Sequence, residues 1–246
     1  MRRVSRSGVP WLVVLGALAC LGLAQARNTA PPDFTGIWTT YSEPGQAGRG
    51  RGSGGQLPLT DEAKKRIAAY RAVIGSSGDT PGGFCLGTGM PGSMLGSGGY
   101  PMEIHQRPEQ LIIVYEAHNE IRRVYLGSRI VPESDRLPGR NGHSSGRWEG
   151  DTLVVESTGF DERTYIMPNG WFHSEELRVV ERYTRPSMNY LIVEITVDDP
   201  KVLTKPWKSA PRRWTLGNGE IYEFYCTNNR ELEELEKVRE LELQKK

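Results

Sequence analysis

The feature of this 246-residue chain that most limits its fold is a succession of short β-prone segments after residue 100. Each segment is rich in valine, isoleucine, tyrosine and threonine, several alternate apolar and polar residues, and turn residues separate them. The predicted strands are MEIHQR, QLIIVYE, EIRRVYL, DTLVVES, EELRVVERYTR, NYLIVEITVDD, RRWTL and EIYEFYC. Because no helical segments alternate with them, these strands predict an antiparallel meander, not a parallel α/β sheet.

The residues around this run complete one predicted domain over 27–246. Asp33 to Thr40 is predicted as a first strand, and TDEAKKRIAAYRAVIG as an inner helix capped by Thr60. Two glycine-rich stretches, residues 45–56 and 75–99, are predicted as loops, and the part from Gly87 to Gly99 as a long loop over or beside a site. Residues 230–246 form a predicted charged C-terminal helix outside the sheet.

The first 26 residues have the pattern of a signal peptide. A basic start with three arginines precedes an apolar segment from Trp11 to Leu23, and Ala24-Gln25-Ala26 offers a cleavage site. We therefore expect a periplasmic or secreted protein cut near Ala26. The alternative is a lipid anchor at Cys20, but the lipobox-like segment Ala17–Cys20 has alanine where leucine is usual.

The charge and composition of the mature chain exclude several classes of partner. Removing the signal peptide takes away three of the 31 basic residues and none of the 30 acidic ones, which leaves a nearly neutral chain. A neutral chain with dispersed charge lacks the basic surface that nucleic acids require. The mature sequence has no second apolar run of membrane-spanning length and no cofactor motif, so we expect no cofactor.

Two cysteines, Cys85 and Cys226, remain after cleavage. In an oxidising compartment such a pair most simply forms a disulfide, which for a loop this long would stabilise the fold by roughly 5 kcal/mol. The alternative is two buried free thiols. A metal site is not predicted, because neither cysteine belongs to a C-x-x-C pair and the four histidines form no metal-binding motif.

The segment Gly142-His143-Ser144-Ser145-Gly146 matches the G-x-S-x-G pattern of the serine-esterase nucleophile elbow. An elbow requires a strand entering the serine and a helix leaving it. Here a loop-like segment, SDRLPGRN, precedes the serine, and the strand DTLVVES follows. The sequence therefore argues against Ser144 as a nucleophile.

Several motifs spread over most of the mature chain resemble a single family. They are DFTGIW at 33–38, GHSSGRWEGDTLVV at 142–155, TGF at 158–160, HSEEL at 173–177 with Glu181-Arg182, and DP at 199–200 before KPW at 205–207. That family comprises exported bacterial proteins without an assigned function, so the resemblance implies export but no activity. Gly36-Ile37-Trp38 is also similar to the G-x-W opening of lipocalins, which with the meander favours a closed or nearly closed lipocalin-like barrel.

The predicted hairpin from Leu177 to Val197 places a carboxylate on an apolar face. With Arg185 opposite Asn189, Glu181 shares its face with Leu177, Val179, Tyr183, Leu191, Val193, Ile195 and Val197. A carboxylate on such a face is costly unless it is paired. We therefore expect Glu181 to bind a partner, either Arg123 or a ligand, while Arg182 lies on the opposite face near Glu194. A one-residue shift of the register would exchange the faces.

Two histidines open His-Ser steps that are predicted to lie in loops at strand ends. If both loops lie at one barrel mouth, His143, His173 and Glu175 would form a candidate catalytic acid–base set. The alternative is that each histidine only hydrogen-bonds to backbone. Three tryptophans, Trp148, Trp171 and Trp207, are candidates either to line a ligand pocket or to plug a barrel end.

Two functions remain open from the sequence. The first is an exported protein that binds a small, partly apolar molecule in the barrel lumen; Trp148, Trp171, Trp207, Glu181, Arg123 and Arg182 are its candidate ligand-binding residues. The alternative is a cofactor-free periplasmic lyase, isomerase or hydrolase that uses histidine and carboxylate chemistry. A purely structural envelope protein is a third class. Convergence of Glu181, His143 and His173 on one cavity would favour the enzyme.

Overall fold

The computed structural model of the chain describes residues 30–41, 56–74, 87, 89–95, 99–167, 170–226, 236–240 and 243–244. The predicted signal peptide lies outside them. The strands are β1 (Gly36–Thr40), β2 (Met102–Arg107), β3 (Gln110–Tyr115), β4 (Glu120–Leu126), β5 (His143–Glu149), β6 (Thr152–Thr158), β7 (Tyr165–Met167), β8 (Trp171–Phe172), β9 (Arg178–Ser187), β10 (Tyr190–Asp198), β11 (Trp207–Lys208) and β12 (Arg212–Leu216). The helices are α1 (Asp61–Ile74) and α2 (Gly92–Leu95), and three short 3-10 turns lie between β3 and β5.

Nine of these strands close a β-barrel, as the sequence predicts. The ladder runs β10–β12–β1–β2–β3–β4–β5–β6–β9, and β9 pairs again with β10, which closes the ring. One pairing departs from the predicted antiparallel meander: β5 runs parallel to β4, with Val124 opposite Ser144. The prediction of a loop at His143 is therefore wrong, because that residue begins β5.

The lumen of the barrel is filled by side chains that alternate along the strands. Positions that face inward are buried, while most of their neighbours are half-buried or exposed, as the period of two requires. The largest fully buried side chains include Trp38, Trp214, Arg122, Tyr115 and Tyr183. The hairpin β9–β10 contributes the whole predicted apolar face with Glu181, which confirms that face.

The predicted register of this hairpin is wrong by two residues. Glu181 lies opposite Ile195, and the turn is Met188-Asn189, with a bulge near Tyr190. A shift of two residues preserves which side chains face the core, because the side-chain period is two.

The segment before β1 closes one end of the barrel and explains the DFTGIW motif. Asp33 Oδ1 accepts a hydrogen bond from Thr35 N (2.8 Å), which turns the chain so that Phe34 enters the core with no exposed surface. The indole of Trp38 donates to Phe34 O (2.9 Å). Gly36 has φ +140°, where other residues are strained, and a Cβ there would lie 2.6 Å from Leu216 Cδ1.

Helix α1 packs on the β7–β8 hairpin, where Arg66 lies over the Phe172 ring, and α2 contacts β7. These elements, with residues 89–95, lie at the end of the barrel opposite Phe34. Phe34 N is bound by the side chain of Gln106, which pairs with Leu111 near the start of β3, whereas Met90 contacts Tyr115 at the end of β3. The predicted cap of α1 is confirmed, since Thr60 Oγ1 accepts a hydrogen bond from Ala63 N (3.2 Å). The second glycine-rich stretch is thus not simply a loop: it contains α2, and Met90 to Leu95 are buried.

The predicted strand EIYEFYC is wrong, because its described residues form no β-ladder. They form a strap, residues 220–226, that contacts the corner between β3 and β4. Asn119 uses its side-chain amide to bind both the N–H and the C=O of Phe224 (3.1 and 2.9 Å), and Glu116 accepts from Tyr222 N (3.0 Å). Hydrogen bonds from side chains thus take the place of a backbone β-ladder. A pattern of apolar residues does not distinguish these two ways of binding the backbone.

Two predicted segments are described only in part. Residues 236–240 of the predicted C-terminal helix are helical. The first glycine-rich stretch lies outside the described residues except for Gln56. None of the helices in the described ranges is long and apolar enough to cross a membrane.

Candidate functional site

A buried ion pair occupies the lumen of the barrel. Arg122 on β4 and Glu181 on β9 have no exposed side-chain surface. Nη1 of the guanidinium donates to Glu181 Oε1 (3.2 Å), and Nη2 donates to Oε2 in the parallel, bidentate arrangement. The partner predicted for Glu181 was Arg123 or a ligand. That prediction is wrong about Arg123, which lies on the exposed face of β4.

All five N–H groups of Arg122 bind an oxygen. Besides the two bonds to Glu181, Nε donates to Ser144 Oγ (3.0 Å), Nη1 to the Tyr183 hydroxyl (3.3 Å) and Nη2 to Ser157 Oγ (3.0 Å). Burial by itself lowers the pKa of Arg122, but Glu181 and the nearby phenols outweigh it and hold that pKa well above its ordinary value. The guanidinium is therefore charged and fully engaged, and has no donor left for a ligand.

Ser144 belongs to this network and not to a nucleophile elbow. It lies on β5, and β6 follows without an intervening helix. Its hydroxyl accepts from Arg122 and lies 2.8 Å from Ser157 Oγ. With a cation and a second serine as neighbours, this hydroxyl has no base to activate it.

The plug, residues Gly89 to Leu95, fills one end of the lumen. Met90 and Met94 are 1% and 0% exposed and belong to the barrel core. The plug is held by a carboxylate, since Glu120 Oε2 accepts from Ser93 Oγ (2.5 Å) and from Gly89 N (3.2 Å). Glu120 is itself buried, and its other oxygen lies 3.5 Å from an Arg140 nitrogen.

The plug meets the lumen at Tyr115. The hydroxyl of this fully buried tyrosine donates to Met90 Sδ at 3.6 Å. Burial raises the pKa of Tyr115, and the Glu181 and Glu120 charges raise it further against the opposing effect of Arg122. The phenol thus stays protonated and offers its O–H to a thioether, which is a weak acceptor.

The three predicted acid–base residues make no hydrogen bond to one another. His143 is half-buried on β5, with Nε2 2.8 Å from Leu137 O. His173 is buried, and Glu175 is exposed with its backbone N–H donating to Glu162 Oε1 (3.3 Å). Glu181, the fourth candidate, is engaged with Arg122 in the lumen.

His173 holds together the segment between β8 and β9. Its Nδ1 lies 3.0 Å from Ser174 O, so Nδ1 carries the proton and Nε2 accepts from the Thr164 hydroxyl (2.7 Å). Ser174 in turn donates its N–H and Oγ–H to buried Asp199 (2.7 and 2.8 Å). These contacts join the HSEEL motif to the DP motif and give both a structural role.

The burial of neutral His173 predicts a pH-dependent stability. Burial lowers the pKa of His173, although the Ser174 carbonyl and Asp199 oppose this. The unfolded chain then takes up the proton first, so the free energy of unfolding should fall as the pH drops from about 6.5 toward the folded pKa, by about 1.4 kcal/mol per unit of depression. Urea denaturation at pH 7.5, 6 and 5 measures this fall. In His173→Gln, the free energy of unfolding should fall less over this pH range than in the parent protein. An equal fall in both proteins would contradict the account.

The tryptophans and Arg182 do not line one pocket. Trp148 stacks on Phe34 (5.6 Å between centroids) at the end closed by the N-terminal segment. Trp171 and Trp207 meet edge to face at 5.2 Å beyond the other end. Arg182 lies on the outer face and pairs with Glu149 at 2.9 Å.

Two further predictions concern cysteine and metal. Cys85 lies outside the described residues, so its bridge with Cys226 stays a prediction. In the part of the chain that the structure describes, no group of three or more histidine, cysteine, aspartate or glutamate side chains is placed to hold a metal ion.

Sequence reasoning did not identify Arg122, Tyr115, Met90 or Glu120 as parts of the site. Arg122 lies on β4, where apolar residues occur at both parities, so the pattern did not reveal which face is inward. Tyr115 alternates with Leu111 and Ile113 like an ordinary core residue of β3. The plug lies in a glycine-rich stretch, where a pair of methionines four residues apart was the one available signal. Comparison with known proteins finds no matching family model and no similar protein with a curated description.

Proposed function

We propose that the protein is exported and binds a small, partly apolar molecule in the lumen of its barrel. In the described state the plug occupies the place of that molecule. The observation that carries the proposal is the contact between Met90 and Tyr115, in which a side chain of the plug, and not a neighbouring strand, satisfies a buried lumen hydroxyl.

The few polar contacts of the plug support the proposal that this segment can move out of the lumen. Among the described residues, its polar contacts to the rest of the protein concentrate on Glu120, and one backbone bond runs from Met90 N to Arg140 O (3.2 Å). Gly89 at φ +64° begins the plug and Gly99 at φ +97° follows it. Glycines at such positions absorb large backbone changes, which is a requirement for hinges.

The chemistry of the plug also supports a binding role. Methionine is unbranched and polarizable, and it fills irregular space that other molecules can take over. The Arg122–Glu181 network beneath it is fully satisfied, so it forms a fixed polar floor. Export, which the resemblance to exported bacterial proteins implies, would place this barrel where small molecules are captured outside the cytoplasm.

Native mass spectrometry tests this function directly. Protein purified gently from the periplasm of its own cells should carry a non-covalent mass that is absent after denaturation. The same mass should remain in Ile121→Ser, which removes an exposed apolar side chain (48% exposed) and leaves the lumen intact. A bare polypeptide, or a mass lost from Ile121→Ser, would contradict binding in the lumen.

A further inference from the structure

The lumen hydroxyls differ in the quality of their acceptors. The Tyr183 hydroxyl donates to the Glu181 carboxylate (3.1 Å), and the two lumen serines contact each other and Arg122. The Tyr115 hydroxyl has only sulfur as its acceptor among the described residues. An oxygen in place of Met90 Sδ would therefore form a stronger hydrogen bond than the plug does.

The charges around Tyr115 exclude an ionised ligand group at this position. Glu181 and Glu120 both act on the phenol, and the Arg122 donors are all used within the network. A ligand carboxylate would enter a low-dielectric site near two carboxylates without a free cationic donor. An ammonium group would lose its water, while both carboxylates are already engaged, Glu181 by Arg122 and Glu120 by Ser93 and Gly89. The group that binds Tyr115 is therefore neutral.

The shape of the occupant follows from the plug. The side chain that reaches Tyr115 is unbranched, and Met94 is buried in the same core with 0% exposure. A molecule that replaces these side chains is narrow and aliphatic. We propose that the ligand is a neutral, unbranched aliphatic compound with an acceptor oxygen, such as a ketone or an ester, and that Tyr115 donates to this oxygen. This inference rests on the proposed function.

A set of matched probes tests the acceptor. Heptan-2-one, its isostere 2-methylhept-1-ene and heptanoate have similar size and differ in the acceptor and the charge. The wild type and Met90→Ala, which vacates the position of Sδ, are titrated with each probe by NMR. The ketone should bind about five- to tenfold more tightly than the alkene, as expected for one net hydrogen bond. Heptanoate should bind more weakly than the ketone.

Tyr115→Phe identifies the donor. Introduced into both backgrounds, it should bring the ketone-to-alkene ratio close to one and leave alkene binding unchanged. Tyr190→Phe is the matched control, because that phenol is 41% exposed at the start of β10, away from the lumen, and it should preserve the ratio. Thermal melts confirm that each variant is folded before its titration is compared.

The outcomes separate the two proposals. If the native protein carries a ligand but the probes bind alike, or Tyr115→Phe keeps the ratio, the ligand class is wrong and the binding function stands. A third outcome is that Met90→Ala binds the ketone, whereas the wild type binds none of the probes and carries no native ligand. In that case the plug does not open. That result overturns the proposed function, and with it this inference.

Discussion

Glu181→Gln is expected to lower the free energy of unfolding by about 3–5 kcal/mol. The change leaves the Arg122 guanidinium charged in the lumen, where neither side chain of the pair has exposed surface. An amide cannot compensate that charge, and it presents a donor toward the donors of Arg122. Urea denaturation at neutral pH measures the loss.

Two controls separate the cost of an orphaned charge from the worth of the pair. Arg122→Met combined with Glu181→Leu should recover most of the lost stability, since apolar replacements of a buried pair are often neutral. Glu156→Gln removes the partner of Arg178 on the outer face (2.7 Å) and should cost no more than about 1 kcal/mol. A Glu181→Gln variant as stable as Glu156→Gln would refute the account.

The Glu181 site shows what the sequence could predict and where it stopped. Alternation along one hairpin placed a carboxylate in the core and required a partner for it. The partner lies on β4, where Arg122 and Arg123 are adjacent, and a one-residue choice reverses which arginine faces inward. Apolar residues occur at both parities of β4, so its sequence gives no reason to prefer Arg122.

Strand β5 failed as a prediction for a different reason. HSSGRWE has little apolar character, and it becomes a strand because β4 and β6 pair with it on either side. Gly146 permits this close approach, since a Cβ there would lie 2.6 Å from Leu126 Cδ2. Pairing with a strand that is distant in sequence leaves no local pattern, whereas β2, β4 and β12 were predicted at their observed bounds from their own β-prone residues.

Reduction of the predicted Cys85–Cys226 disulfide is expected to lower the free energy of unfolding by about 5 kcal/mol. For a chain of this size, that corresponds to a fall in Tm of about 10–20 °C. The described neighbours of both cysteines favour the bridge. A Cβ on Gly87 would lie 3.4 Å from His118 Cβ, and the Phe224 ring centroid is 4.8 Å from that of His118.

Cys85 is two residues before Gly87 in the sequence, and Cys226 is two residues after Phe224. Gly87 and Phe224 both lie at the same corner, between β3 and β4. The measurements are the intact mass, which should show a deficit of two protons, and thermal melts with and without reductant. The double variant Cys85→Ser, Cys226→Ser should have the Tm of the reduced protein, and reductant should not change that Tm. An unchanged Tm on reduction would instead assign two buried thiols.

The bridge should also affect the plug. The strap at Phe224 and the residue Gly87 both contact the corner that precedes Glu120, and Glu120 holds Ser93 and Gly89. Reduction should therefore speed hydrogen exchange of the plug amides more than that of β10 at the same temperature. A uniform increase over the whole barrel would mean that the bridge acts on the unfolded chain alone and leaves the plug unaffected.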